Sequence, residues 1–349
     1  MACHVRVSDV RWVDMASHVS TCGLKCQAST APVLPSAPFL KFPFMLRLGF
    51  LGCGAIAGSR ARLLRALNEL TSEPIFECVA ACDLVPSKSA AFVARWGGTS
   101  YSSVGRMLGD AELDALWICT PPSARGSGEN AALSAGVALW IEPPVAATIR
   151  TANALALAIK KSALPVMVAS PHRYSPELER LRRVLTTKNA PRLWLWQGTL
   201  GASLKRIAWR SEAKNGNVWL EGAWPMLDLL RFLGLEAAGA HAKSNGEAGA
   251  ASLQTRGGAL VSLGVSRFGT AREHLEANGD DVFLSLSNWS SAPRVELSTQ
   301  SETTIWRGDD PVHQQLEAFA RLLRTGKRTE NRSTFADAVE TLKMALELN

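Results

Sequence analysis

The residues best placed to do chemistry start at a turn. Gly52-Cys53-Gly54-Ala55-Ile56-Ala57 follows the apolar run 46–51 and fits the spacing G-x-G-x-x-G/A at the junction of a predicted strand and helix. That spacing builds an anion site. Gly52 allows the tight turn, Gly54 lets the backbone approach a pyrophosphate, and small Ala57 lets the helix pack against the strand. Ala55 and Ile56 open the helix, whose free N–H groups and positive end face the phosphates. Asp83 ends a second apolar strand, Phe76–Cys82, where a carboxylate can accept hydrogen bonds from a ribose diol. It lies 29 residues beyond Gly54, against a usual spacing of about 20. The helix over 57–71 and the Ser72-Glu73-Pro74 turn absorb the excess. The set points to a nicotinamide dinucleotide. NAD is favoured over NADP, with Ser87 and Lys88 as the residues that would hold a 2′-phosphate.

These residues need a parallel sheet to hold them. After Asp83 the chain continues with helix 87–96, stopped by Gly97-Gly98, then Tyr101–Leu108 leading to a short helix, then strand 113–120. That strand ends in Thr120-Pro121-Pro122, and proline cannot continue a central strand, so the chain leaves the sheet there. Helix 129–135, strand 137–141 ending in Glu142-Pro143-Pro144, helix 148–162 and strand 166–170 complete the alternation. Repeated strand–helix units demand a parallel sheet covered on both faces, and such sheets bind ligands at their carboxyl edge. From Arg192 the pattern changes to strands over 193–198, 251–255, 259–266, 281–287, 295–298 and 303–306. Helices over 226–233, 311–324 and 333–348 accompany them. The fold class is therefore α/β: an N-terminal Rossmann dinucleotide-binding domain, residues 45–170, plus a C-terminal α+β domain, residues 171–349, with an open, largely antiparallel sheet. Trp194 and Trp196 alternate onto one face of that sheet, to bury a partner subunit, roof the active site or pack on the domain's own helices.

Composition narrows the classes. Hydrophobic residues make up 47% and charged residues 20%, as in ordinary globular proteins. The net charge of +7 is scattered, and its densest group (Arg180, Arg182, Arg183, Lys188, Arg192) reads as a solvated helix face. No aromatic–basic interleaving marks a nucleic-acid surface, and no run of 18 apolar residues marks a membrane span. Residues 1–44 lack periodicity and read as a disordered extension or a misassigned start, with Met45 as the alternative first residue. Cys3, Cys22 and Cys26 in that segment fit no zinc spacing, and no metal is expected. Cys53, Cys78, Cys82 and Cys119 read as small buried thiols in a cytoplasmic, disulfide-free protein.

The chain from Leu46 onward resembles the glucose–fructose oxidoreductase/inositol dehydrogenase/MocA (Gfo/Idh/MocA) family. The anchors are the glycine turn, Asp83, Leu113-Asp114-Ala115 through Thr120-Pro121-Pro122, Ala135-Gly136 and Glu142-x-Pro144. Further on come Arg173-Tyr174-Ser175-Pro176, Trp209-Arg210, Asp228-Leu229-Leu230-Arg231 and the Phe319…Gly326 helix. The resemblance implies an NAD(P)-dependent oxidoreductase acting on a sugar, polyol or related small carbonyl compound, assembled as a homodimer or homotetramer. It adds Thr120, Pro121, Pro122 and Glu142 to the cofactor edge.

The catalytic positions depart from the family pattern. Pro143 stands where the family's Glu-Lys-Pro has its lysine, and Arg125 where a histidine follows Thr-Pro-x. Asn215-Gly216-Asn217 replaces a triple glycine, Glu221 an aspartate, Ala223 a glycine and Pro225 the relay histidine. Proline neither titrates nor donates an N–H, so neither can move a proton. Three groups remain as candidates: Glu221, which becomes a base if burial raises its pKa; Tyr174, whose phenol can donate; and Arg173, which can polarise a carbonyl. Their ordinary structural readings are a helix-terminal carboxylate, a core cap and a buried ion pair, with neighbouring His172 exposed. Lys205 and Arg206 are expected in a solvent-exposed loop, and Trp219 and Trp224 either line an apolar pocket or plug space. Two alternatives to the enzyme stand: a catalytically inactive dinucleotide-binding sensor or partner protein, and a structural scaffold without cofactor.

Overall fold

The computed structural model describes residues 45–186, 191–199, 215 and 218–348. Residues 1–44 with their three cysteines, Lys188, Lys205, Arg206, Trp209, Arg210, Gly216 and Asn217 lie outside the described residues.

Strand β1 (Leu46–Leu51) runs into helix α1 (Ala55–Leu70), whose Ala57, Ala61, Leu64 and Leu67 recur at helical spacing and form its buried face. The Asn68 side chain then ties the helix to the next strand, accepting from the Ile75 and Phe76 N–H groups and donating to the Phe76 carbonyl. β2 (Phe76–Cys82), α2 (Pro86–Trp96), β3 (Thr99–Tyr101), α3 (Val104–Asp110), β4 (Ala115–Ile118), α4 (Ser127–Ser134), β5 (Ala138–Ile141), α5 (Ile149–Ser162) and β6 (Val166–Val168) follow. The six strands form a parallel sheet in the order β3-β2-β1-β4-β5-β6. Strand β3 was not expected. Its Thr-Ser-Tyr sequence is short and only partly covered, and it gives no apolar signal.

β4 and β5 carry the same tetrapeptide, Ala-Leu-Trp-Ile, paired residue for residue. Trp117 therefore lies beside Trp140, with ring centroids 4.5 Å apart. Phe319 of α9 (Val312–Thr325) meets Trp140 edge-on, which brings a C-terminal helix back onto the Rossmann half.

After α6 (Pro176–Leu185) the second half is built on eight strands. These are β7 (Leu193–Thr199), β8 (Ala237–Ser244), β9 (Ala248–Thr255), β10 (Leu260–Ser266), β11 (Arg272–Asn278), β12 (Val282–Ser287), β13 (Arg294–Thr299) and β14 (Thr303–Arg307). Their order is β14-β13-β12-β11-β7-β10-β9-β8, antiparallel throughout except where β7 runs parallel to β10. β8 and β11 escaped the sequence reading for a physical reason. Ala-Gly-rich and charged segments have low β-propensity, and pairing with neighbours holds them extended.

Trp194 and Trp196 are buried on the sheet's covered face, where Trp289 meets Trp196 edge-on at 5.5 Å. Helices α7 (Val218–Glu221) and α8 (Trp224–Phe232) pack there. Trp219 lies against Gly249 and Met226 against Gly198, so closely that a Cβ at either glycine would clash. The tryptophan pair thus packs inside its own domain. Leu193, Leu195 and Leu260 sit on the outward face. Helix α10 (Phe335–Glu347) packs against α8 and α5 and closes the chain.

The basic residues at the start of the second half are engaged. Arg182 and Arg183 pair with Glu179, Arg192 with Asp280, and Arg180 lies over Trp306.

Candidate active site

The glycine turn is fixed by its backbone. Gly52 has φ +88°, and a Cβ there would lie 3.0 Å from the Cys119 carbonyl and the Thr120 nitrogen, so only glycine fits. Its N–H donates to the Cys82 carbonyl at 2.8 Å. Gly54 differs. A Cβ there would meet nothing within 4 Å, so the space beside the N-terminus of α1 is open. No side chain caps that terminus and no acidic residue occupies its first turn. Its N–H groups are available to an anion.

Asp83 completes this edge. One carboxylate oxygen accepts from the Cys53 N–H at 2.8 Å and the other from the Val85 N–H at 2.9 Å. The carboxylate is thereby aimed, and each oxygen keeps a lone pair for a diol. At the neighbouring strand end the Thr120 hydroxyl is buried with no hydrogen-bond partner among the described residues. An open cradle, an aimed carboxylate and an orphaned hydroxyl along one sheet edge fit a dinucleotide.

Glu142 plays a different part from the cofactor contact expected of it. It is buried beneath the edge, where Arg60 grips both oxygens at 2.7 and 2.9 Å. The Trp117 and Trp140 indoles also donate to Oε1, at 3.0 and 2.9 Å. Burial opposes its charge, but the Arg60 charge and these hydrogen bonds prevail and hold its carboxyl below the usual range. Arg125 is structural too. It donates to the Glu142 and Ile118 carbonyls and so clamps the ends of β5 and β4 together.

A cleft of about 200 Å³ opens at the carboxyl ends of β5 and β6. Pro143 and Pro225 both line it, so the two prolines singled out in the sequence meet in one place. Around them stand Arg60, Ser170, His172, Trp224, Ser290 and Asp310. Trp224 is thus a pocket wall, whereas Trp219 is core.

Asp228 lies behind this wall. It accepts from Arg173 Nε and Nη2 at 2.8 and 2.7 Å, from the Thr341 hydroxyl at 3.0 Å, and pairs with His172 Nε2 at 2.8 Å. Burial opposes the ionised form, yet the hydrogen bonds from Arg173 and His172 overcome it and hold the carboxyl far below its usual range. His172 was expected to be exposed. It is 2% exposed, because the reach to Asp228 draws the ring inward. Across the cleft, Ser290 donates through both N–H and hydroxyl to Glu273 of β11, whose carboxyl burial pushes upward.

None of the three catalytic candidates read from the sequence lines this cleft. Arg173 is committed to Asp228. Tyr174 is buried, its hydroxyl placed by Ser333, Met167 Sδ and the Arg332 N–H, and burial pushes its pKa up. Glu221 is buried on α7 and pairs with Arg267 at 3.2 Å. The sequence reading missed Arg60, Ser290 and Asp310 as cleft residues. Their placement depends on which loops meet, although Pro-His-Arg-Tyr directly after a strand was a usable signal for His172.

Among the described residues no group of three His, Cys, Asp or Glu side chains could hold a metal, and no helix is long and apolar enough to cross a membrane. The cysteines at 53, 78, 82 and 119 are free thiols, the last two buried and the first two partly so.

Residues 46–170 match the Gfo/Idh/MocA family model, described as an oxidoreductase family with an NAD-binding Rossmann fold. This segment is thus similar to the NAD-binding domain of that family. The likeness extends beyond it. A dTDP-3,4-didehydro-2,6-dideoxy-α-D-glucose 3-reductase from Saccharopolyspora spinosa is 24% identical over 315 residues, 85% of this chain and 93% of that protein. The UDP-N-acetylglucosamine 3-dehydrogenase GnnA from Acidithiobacillus ferrooxidans superposes with a TM-score of 0.72 at 19% identity, covering 87% of this chain and 97% of its own. KijD10, a 3-ketoreductase from Actinomadura kijaniata in complex with NADP and TDP-benzene, gives 0.74 at 20% identity over 86% and 96%. These structures share the two-part fold of this chain.

Proposed function

We propose that this protein is an NAD(P)-dependent oxidoreductase that interconverts a secondary alcohol and a ketone on a sugar. The carrying observation is continuity between its two subsites. The helix that opens at the empty space beside Gly54 also places Arg60 in the cleft, about 9 Å further along its axis. A dinucleotide whose pyrophosphate lies on the glycine turn would extend along the same carboxyl edge toward Pro143, Ser170 and His172. Asp83 would take the adenosine ribose, and Thr120 a polar group further along. When bound, the nicotinamide supplies or accepts hydride. The protein's own part is to hold the sugar between Trp224, Ser290 and His172 and to keep bulk water out.

NAD is the preferred cofactor, since the Asp83 carboxylate stands where the 2′-phosphate of NADP would bring like charge. The substrate class follows the relatives: a 3-reductase of a dTDP-sugar and a 3-dehydrogenase of a UDP-sugar both point to nucleotide-linked hexoses. The test is hydride transfer, followed at the nicotinamide absorbance, with a panel of nucleotide-linked and free keto-sugars and polyols. Turnover with any of them supports the reading. Dinucleotide binding without turnover on any would favour a binding protein, the reading suggested by Pro143 and Pro225 in the cleft wall.

A further inference from the structure

We infer that His172 is the proton-transfer group of the cleft, oriented by Asp228, in place of the side chains that Pro143 and Pro225 do not provide. The inference rests on the oxidoreductase reading above. Its first support is position: His172 lines the cleft together with both prolines and Ser290.

The second support is the tautomer. Asp228 is held ionised by Arg173 and accepts from Thr341 as well, so it has no hydrogen to give. The 2.8 Å contact between its Oδ2 and His172 Nε2 is therefore an Nε2–H donor bond. In the neutral ring the lone pair then belongs to Nδ1. Among the described residues Nδ1 has no hydrogen-bond partner, and it is not one of the sealed, orphaned buried atoms. The arrangement follows the logic of a carboxylate that fixes an imidazole and leaves its other nitrogen to the substrate. Phe232, edge-on to the ring at 6.5 Å, limits its rotation.

The step balances without a further reactant beyond the dinucleotide. In oxidation the carbinol C–H pair leaves as hydride to the nicotinamide, the O–H proton passes to the Nδ1 lone pair, and the O–H electrons become the new C=O bond. The imidazolium then gives its proton to solvent. In reduction the imidazolium returns a proton to the carbonyl oxygen as hydride arrives at carbon. Glu221, Tyr174 and Arg173 do not compete for this role, since each is held by other partners away from the cleft.

The charged and titratable groups beside the ring or around the cleft it lines are Asp228 on α8 with Arg173 behind it, Glu273 on β11, Asp310 ahead of α9, and Arg60 on α1 paired with Glu142. Asp337 of α10 approaches Arg173 at 3.7 Å. A pH profile must separate His172 from Glu273 and Asp310, which is why the test compares variants.

The experiment uses the full chain, native and as His172→Gln and His172→Asn. It combines calorimetric titration with NADH, steady-state kinetics on whichever keto-sugar the native protein turns over, and ¹⁵N imidazole spectra. The expected result is a dinucleotide Kd unchanged within about twofold and a kcat lower by about 10²–10⁴-fold. The sugar KM changes far less, and a pH-dependent limb of kcat/KM is lost in both variants. The spectra need no substrate, and they should show His172 protonated at Nε2 with Nδ1 free when the ring is neutral. Equal kcat and an equal pH profile in both variants would overturn the inference and leave the oxidoreductase reading intact, as would an Nδ1–H tautomer. Tight NADH binding without turnover by the native protein would instead overturn the reading on which it rests.

Discussion

The two ends of the candidate site are made of different material. The dinucleotide end is backbone: a glycine at φ +88°, uncapped helical N–H groups, and one carboxylate aimed by two main-chain N–H groups. The substrate end is side chain: prolines, serines, a tryptophan, a histidine, an aspartate and an arginine brought together from distant segments. A backbone site tolerates almost any exchange at neighbouring positions but almost none at the glycines. A side-chain site can hold Pro143 and Pro225 in its wall and still enclose a cleft. An intact glycine turn therefore says little about the chemistry at the other end.

The comparison can be broken first by acid. The carboxyls of Glu142 and Asp228 lie below their usual range in the fold, so the unfolded chain takes up protons before the folded one as pH falls. Their stabilisation is complete above the ordinary carboxylate range of about 4 and is lost on descending through the lower folded values. Glu273, pushed up by burial, works in the opposite sense, but Glu179, held low by Arg182 and Arg183, adds to the first two. Urea midpoints should therefore be level from neutral pH to about 5 and fall steeply below about 4. A midpoint that rises on acidification would contradict the networks described.

Asp228→Ala should come next, costing about 3–5 kcal/mol in urea unfolding, because it strips buried Arg173 of its bidentate partner and leaves its charge only the longer contact to Asp337. A loss below about 1 kcal/mol would place the pair among weak surface bridges. The glycines sharpen the contrast within the turn itself. Gly52→Val forces a β-branched residue to positive φ against the Cys119 carbonyl and should cost about 3 kcal/mol. Gly54→Val, whose Cβ meets nothing, should leave stability within about 1 kcal/mol. It should nonetheless weaken dinucleotide binding more than about tenfold, or 1.4 kcal/mol. Equal effects of the two valines on stability would erase the distinction between a structural and a ligand-facing glycine.

What the sequence disclosed follows the same division. The glycine turn, Asp83 and the strand–helix alternation were legible because backbone geometry demands particular residues at fixed local spacing. The cleft was not. His172 reads as a surface residue until Asp228, 56 positions later, draws it inward. Glu142 looks like an edge residue until Arg60 and two tryptophans from paired Ala-Leu-Trp-Ile strands are seen around it. β11, which carries Glu273, has a sequence that favours a strand only through its neighbours. Such facts are long-range and leave no local signature.

The smallest effect belongs to the surface. Asp280→Asn breaks an ion pair with Arg192 in which both side chains are mostly exposed, and should change stability by less than about 0.5 kcal/mol.

The most direct measurement is calorimetric titration of the full chain, native and Gly54→Val, with NAD, NADH, NADP and NADPH. The expectation is micromolar binding, tighter for the NAD pair, that weakens more than about tenfold in the valine variant. Absence of binding by all four to the native protein would contradict it and leave the Rossmann half as a scaffold.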